Sequence, residues 1–590
     1  MNMGQFFKFT LASILGFILA IFLLIIFTIG IVISASTGEE TAVVNQHSVL
    51  RMNLDYPIND RGSMTPPNVF NMSDFKLKAD PGLNDILKSI EKAATDPNID
   101  GIYLNAASAD AGVAQLEEIR NALIQFKESG KFIVAYAEGY DQKGYYLASV
   151  ADEVYVHPEG SLLFKGLGAQ LMFFKGTLEK LDLEMQVIRH GKFKAAVEPF
   201  LLDKMSDANR EQTTALISSV WDNLLQGISQ SRNISIADLN QTADKLLLDD
   251  PKQAVKLHFV DGLKYSDEIA EILKEKSGKA IDDNLDFVTV SDYITSNYFN
   301  EQKVAKDKIA VIYATGEIKN GKGDDTYIGE KNIRKAIIKA RKDKRVKAIV
   351  LRVNSPGGSA LVSDLIWREV VLTKEKKPVV VSMGDVAASG GYYISCAADY
   401  IFAEPTTITG SIGVFGLIPN TGKFMTNKLG ITFDEAKTNE NSNFMSTTNK
   451  SLSPFQHDVI QKSVERVYDS FITKVAEGRN MAKADVDRIG QGRVWAGAQA
   501  IKIGLVDELG GLNNAIAKAA DLAHVDIYKI KSLPIQKEPL QEIIENITGN
   551  SSSVLLRNMF GVNYKYVEMM QSWQDRDVLQ ARMPYEMIIQ

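Results

Sequence analysis

Cysteine is almost missing from this chain of 590 residues: Cys396 is the only one. A lone thiol excludes an internal disulfide framework and any metal centre built from several thiolates. Histidine is nearly as scarce, with six in all and no pair at H-x-x-x-H or similar ligand spacing. No metal and no other cofactor is therefore implied. A basic surplus is lacking too. The net charge is −7 and no long basic run occurs, which argues against nucleic acid as a partner. What remains is ordinary globular material, 45% hydrophobic and 24% charged, in a chain too long for one core.

Long apolar runs are absent except in one place. Residues Phe9 to Gly38 carry no charge, and Leu11 to Ile33 is mostly Leu, Ile, Phe, Val, Ala and Gly. A bilayer needs about 20 such residues. The apolar region of a cleaved signal peptide is usually about 7–15 residues, so the run predicts an uncleaved single-pass anchor. Lys8 precedes it and Glu39-Glu40 follow. That charge order places the N-terminus in the cytoplasm and the bulk of the chain on the other side.

The rest of the sequence contains one unit twice. Gly144-Tyr145-Tyr146 through Pro158 resembles Gly391-Tyr392-Tyr393 through Pro405, an offset of 392 − 145 = 247. Gln253 to Asp261 matches Gln499 to Asp507 at 499 − 253 = 246. So constant an offset over more than one hundred residues marks a tandem duplication. The expected division is 1–44 for stub and anchor, 45–285 and 306–530 for the two copies, and 531–590 for a tail without a counterpart. A linker is expected near Ile281 to Lys308. Each copy alternates β-branched strands with amphipathic helices: Phe132 to Tyr136 and Pro378 to Ser382 read as strands, Gly112 to Glu128 and Leu361 to Lys374 as helices. That alternation predicts a parallel-sheet α/β fold.

The copies differ where chemistry could sit. In the second, Ser389-Gly390-Gly391 stands between the strand ending at Met383 and a helix-compatible stretch, Tyr392 to Ala398. A serine there can be a nucleophile beside unpaired helix N–H groups, or simply an N-cap. The first copy has Gln142 and Lys143 opposite Ser389 and Gly390. The second copy also has Asn354-Ser355-Pro356-Gly357-Gly358, whose bare backbone N–H groups suit an oxyanion. The first has no glycine pair there. A serine nucleophile needs a base. No histidine occurs between Asn354 and Asn441, and His190 is the least poor alternative. A buried lysine can serve, because burial disfavours the ammonium form. Lys194, followed by Ala-Ala-Val, is the candidate; Lys437 is its rival within the second copy.

At these residues the chain resembles the signal peptide peptidase A (protease IV) family in its long, two-domain form. The motifs are Asn354 to Gly358, Asp385 to Tyr393, Thr409-Gly410-Ser411-Ile412-Gly413-Val414, and Phe193 to Phe200. Ala195, where relatives carry Ser, is a mild departure. The resemblance implies tandem Clp protease–crotonase-like domains. It further implies a Ser/Lys dyad of Ser389 and Lys194, with Ser411 orienting the amine and Gly358 and Gly390 donating to the oxyanion. It also implies a homotetramer at the cytoplasmic (inner) membrane, facing outward and degrading signal peptides. Ile412, Val414, Phe415 and Leu417 are expected to line a pocket for small or aliphatic side chains. Two other classes share features with this reading. An acyl-CoA enzyme of the crotonase type would use the glycine site without Lys194 or an anchor. A non-enzymatic membrane scaffold would leave the serine–lysine asymmetry without a reason.

Overall fold

The computed structural model describes residues 8–10, 12–20, 23, 41–62, 80–300, 305–445, 448–536 and 579–583. Of the expected anchor, residues 12–20 are helical and exposed, and 24–33 lie outside the described residues. Among the described residues no helix is long and apolar enough to cross a membrane. The stretch Ile535 to Ser553, expected to be loosely helical or linker-like, lies almost wholly outside them as well.

The first half is built on a six-stranded parallel sheet in the order Gly262–Leu263, Glu153–Leu162, Phe132–Tyr140, Ile99–Leu104, Ser48–Met52, Asp286–Thr289. Helices cover it, so its central strands Ile99–Leu104 and Phe132–Tyr140 are buried almost continuously, while the outer strand Glu153–Leu162 alternates. The helix Leu83–Thr95 shows how the sequence dictates this. Leu83, Ile86, Leu87, Ile90 and Ala93 recur at three and four residues and are all buried, forming the apolar stripe of a surface helix.

The second half repeats the plan. Its main sheet runs Val494–Ala496, Ile408–Gly410, Val379–Ala388, Val346–Ser355, Asp307–Thr315, Tyr528–Leu533, parallel except for its first pair. Details recur as well as elements. Ser206 and Ser453 cap the long helices Asp207–Arg232 and Pro454–Arg479, which end on left-handed Asn233 and Asn480. Tyr145 and Tyr392 donate their hydroxyls to the carbonyls of Phe259 and Leu505, at 2.8 and 2.9 Å.

Two expectations need correction. The segment taken as a linker contains the strand Asp286–Thr289, paired with Ser48–Met52 and followed by the short helices Val290–Tyr293 and Asn297–Asn300. It closes the first sheet just as Tyr528–Leu533 closes the second. And the residues before Ser389 are not a loop: the strand runs on through Ala388, with a shift in register against Val346–Ser355.

The halves are joined by buried charge. Arg352 of the second half meets Glu118 at 2.6 Å and Asp60 at 2.9 Å, both from the first, and all three are buried. Removing one member of such a group costs about 3–5 kcal/mol, because a buried charge is left alone. Asp385, four residues before Ser389, accepts from the backbone N–H groups of Ala114 and Gln115 at 3.0 and 3.2 Å. It thereby caps the first-half helix Val113–Lys127.

A third sheet belongs to neither half alone. Its order is Tyr327–Gly329, Glu317–Lys319, Gly357–Ser359, Leu579–Arg582, Phe415–Asn420, Glu184–Arg189. The last strand comes from the first half and lies antiparallel to Phe415–Asn420 over six residue pairs.

Candidate active site

The strand Glu184–Arg189 carries first-half residues into the second half. His190 donates its backbone N–H to the carbonyl of Val414 at 3.1 Å, and Phe193 donates to Gln491 at 2.9 Å. Gln212 ties the turn further: its Nε2 donates to Phe193 O, while its Oε1 accepts from Val494 N. The next side chain is Lys194, which points inward and is 0% exposed.

Its Nζ lies 2.9 Å from Ser389 Oγ and 3.1 Å from both the carbonyl O and the Oγ of Ser411. Burial alone holds its pKa well below the ordinary lysine value, because the ammonium form is poorly solvated there. A neutral amine has two N–H groups and one lone pair. The two contacts with Ser411 can take the N–H groups, which leaves the lone pair for the Ser389 hydroxyl.

Both serines are held in strained backbone. Ser389 has φ 56° and ψ −111°, and Ser411 has φ 50°. Left-handed conformations in residues other than glycine persist only where surrounding structure enforces them, and they gather at functional sites. Here the enforcing bonds are Ser389 N–H to Gly410 O and Ser411 N–H to Arg493 O, each 2.7 Å. Ser389 stands at the N-cap position of the helix Gly390–Ser395, yet its side chain makes no capping bond. The alternative of a plain capping serine is thereby removed.

The glycines surround this centre. Gly357 has φ 94°, and a Cβ there would come within 2.6 Å of Gly390 N, so no side chain fits. Gly357 N–H donates to Ser355 Oγ at 3.1 Å. Gly358, the other glycine of the pair, lies in the third sheet between Ile318 and Ala581. Two further glycines escaped the sequence reading as site residues. A Cβ on Gly492, where φ is 81°, would meet Lys194 N, Cα and Cβ at 2.7–2.8 Å, and one on Gly413 would meet Lys194 Cδ at 3.1 Å. Together they leave room for the lysine stem. Gly413 lay within a quoted motif; Gly492 looked like an ordinary turn glycine.

The cleft beside Ser389 is filled by the chain's own tail. Leu579–Arg582 lies antiparallel to both Gly357–Ser359 and Phe415–Gly416. The carbonyl O of Ala581 would meet a Cβ on Gly357 at 2.2 Å and one on Gly390 at 3.0 Å. Met583 is buried against Leu216, Ala388, Ile408, Val494 and Ala496. Ser389 is 0% exposed beneath this cover.

The alternative bases fall away from the centre. His190 stacks on Tyr468 at 3.8 Å between ring centroids, with Nδ1 2.6 Å from Glu465. Lys437 pairs with Glu435 at 2.9 Å, and Asn441, the counterpart of Lys194, is exposed. The expected pocket lining is also corrected. Ile412 and Val414 belong to the second-half core, and Phe415 packs on Ala196 and Val197, with Leu417 against that cluster. They fasten the lysine-bearing arm instead of facing an open pocket.

Comparison with known proteins follows the same division. The model of Peptidase family S49 matches residues 125–280 and 372–526, two stretches offset by 372 − 125 = 247. Protease 4 of Haemophilus influenzae is 35% identical over 527 residues, covering 86% of this chain and 83% of that one. Protease 4 of Salmonella typhi is 37% identical, covering 82% and 79%. The chloroplastic serine protease SPPA of Arabidopsis thaliana is 33% identical, covering 87% and 74%. A ClpP1 mutant from Listeria monocytogenes aligns at 15% identity over 35% of this chain and 94% of its own, with a TM-score of 0.24, too slight a likeness to define the fold. Matched once in each half, and along most of its length by proteases, the chain belongs to peptidase family S49 and is a serine peptidase.

Proposed function

We propose that this serine peptidase is a membrane-anchored endopeptidase that degrades cleaved signal peptides and other apolar peptides with a Ser389/Lys194 dyad. The observation that carries the reading is the 2.9 Å contact between a fully buried lysine, its pKa lowered by that burial, and a serine in strained backbone. In the proposed reaction the Lys194 lone pair takes the Ser389 proton as Oγ attacks the peptide carbonyl. The oxyanion rests against the N–H groups of Gly358 and Gly390. The Lys194 ammonium then protonates the leaving amine. A water molecule, deprotonated by the same amine, hydrolyses the acyl-enzyme. Ser411 holds the amine in line throughout. No metal and no cofactor takes part in these steps.

An extended peptide ligand is supported by the tail strand Leu579–Arg582, which lies between the two walls of the cleft. Backbone pairing would bind a substrate the same way, irrespective of most side chains. The proposed architecture is two Clp protease–crotonase-like domains, 45–285 and 306–530, behind an anchor within 1–44 and followed by a tail, 531–590. The enzyme would sit in the cytoplasmic membrane and face outward, beside peptides left in the bilayer.

A homo-oligomer, a tetramer in this reading, is supported by the repeat. Residues 168–173 correspond to Phe415–Asn420 (415 − 247 = 168), and residues 431–436 to Glu184–Arg189 (184 + 247 = 431), yet neither forms a strand within the chain. Repeating the Glu184–Arg189 pairing between chains would be a heterologous contact, of the kind that closes rings.

A fluorescent-peptide hydrolysis assay on the full chain tests the dyad. Loss of turnover in Ser389→Ala and Lys194→Ala, with Lys437→Ala unaffected, is the expected result. Full activity in either dyad variant would refute it.

A further inference from the structure

The first half holds a cavity of about 400 Å3 that the peptidase reaction does not use. Asp110, Leu116, Gln142, Lys143, Lys165 and Leu224 are among its lining residues. Adding the repeat offset of 247 converts these six into Gly357, Ser363, Ser389, Gly390, Ile412 and Phe471. The cavity is thus the first half's counterpart of the active centre.

Its chemistry has been replaced. Gln142 stands at the nucleophile position, and its Oε1 accepts from the backbone N–H groups of Lys165 and Gly166, each at 3.1 Å. Lys143 stands at the position of Gly390. Its Nζ donates at 2.9 Å to the carbonyl of Ala111, the counterpart of Gly358 (111 + 247 = 358). An ammonium group therefore sits where the second half offers bare N–H groups. Backbone N–H groups suit the brief charge of an oxyanion; an ammonium suits a permanent carboxylate. Buried Val113, Leu116 and Leu224 supply an apolar floor, and Lys165 is exposed at the mouth.

Two carboxylates temper the field. Asp141 is occupied in capping, its Oδ1 accepting from Gly144 N, and Asp110 is exposed at the rim. Two lysines therefore face two carboxylates, and charge alone does not select a ligand. A ligand must bring its carboxylate onto Lys143 and an apolar group onto the floor together. The C-terminal residue of an apolar peptide has both. The equivalent cleft of the second half already holds an extended segment, Leu579–Arg582. Hydrolysis at Ser389 would also release peptides with new C-terminal carboxylates.

We propose that this first-half cavity is a non-catalytic site for the C-terminal carboxylate and last apolar side chain of a peptide, with Lys143 on the carboxylate. The source of such peptides rests on the proposed peptidase function; the site itself does not.

The test uses the full chain carrying Ser389→Ala, so that nothing is cleaved. A dansyl-labelled Leu-Ala peptide with a free C-terminal carboxylate is titrated against its C-terminal amide. The acid is expected to bind about tenfold more tightly, the worth of one charge-assisted hydrogen bond. Lys143→Ala, at a half-buried position, should erase that difference, and Leu116→Trp should fill the cavity and weaken both ligands. Equal binding of acid and amide, or a preference untouched by Lys143→Ala in a chain that melts normally, overturns the site. Hydrolysis by the chain with native Ser389 is read separately. Lys143→Ala should retain it, so failure of the second site and failure of the peptidase reading give different patterns.

Discussion

The two halves keep the same hydrogen bonds in their cores and part company at one turn. Arg232 pairs with Asp261 in the first half and Arg479 with Asp507 in the second, and the buried tyrosine hydroxyls find equivalent carbonyls. After the third strand, however, one half reads Gln142-Lys143 and the other Ser389-Gly390. The arm that follows also behaves differently. In the first half it leaves as Glu184–Arg189 and joins the other half's sheet; in the second its counterpart, residues 431–436, stays exposed. Packing holds a scaffold constant because each core contact depends on its neighbours. The positions that differ, 142/389 and 194/441, lie outside those shared core bonds, so one copy could keep the proposed nucleophile while the other kept the proposed base.

The comparison can be broken at several points. The largest effect belongs to Ser389→Ala or Lys194→Ala, each expected to lower kcat by at least about 10⁴-fold, with unfolding midpoints close to wild type. Asn441→Lys added to Lys194→Ala should not rescue turnover, since the second half's arm does not reach its own serine; recovery would mean that the halves are interchangeable. Next comes Gly492→Ala. Its methyl would collide with the Lys194 backbone at 2.7 Å in a left-handed conformation, so about a hundredfold loss of kcat/KM is expected, about 2.7 kcal/mol in the barrier, together with a lower melting temperature.

The pH dependence sharpens the division. In the proposed dyad Lys194 acts when neutral, so kcat/KM should rise with pH and level off well below the ordinary lysine range. A profile still rising at pH 10 would mean that the amine is solvated. Two buried carboxyls at the seam run the other way in their contribution to stability. Burial, as the leading cause, pushes Glu117 up to about 7 and Asp385 up to about 6. A carboxyl whose folded pKa is raised stabilises fully below its unfolded value and loses that contribution as pH rises through the folded one. Both groups lie where the halves meet. The native chain should therefore lose stability relative to Glu117→Gln as pH rises from 4–5 to 8, read as the difference between their melting temperatures. The smallest effect is His190→Ala. It removes a stack on Tyr468, worth about 1 kcal/mol, and should leave the dyad's pH profile in place.

Local patterning made much of this legible. The helices and central strands announced themselves by period, and the duplication by its fixed offset. Ser389 and Lys194 emerged from the asymmetry between copies, to which the family resemblance assigned roles. Pairing between distant segments leaves no such local trace. Nothing within Glu184–Arg189 says whose sheet it joins. Leu579–Arg582 is four residues long, and its partners lie more than one hundred residues away. Asp286–Thr289 was taken as linker because a short edge strand with polar neighbours looks like one. Gly492 was passed over because its reason, the Lys194 stem, is about three hundred residues distant in sequence.

That crossing arm also sets a timetable. Synthesis delivers the base at residue 194 long before the nucleophile at residue 389, and the backbone that seats the base, Gln491 to Val494, comes later still. A nascent chain therefore carries Lys194 without its partners until the second half has been made. The proposed centre can assemble only after residues 491–494 have been made. Residues 579–583, which follow them in the chain, then close over that centre.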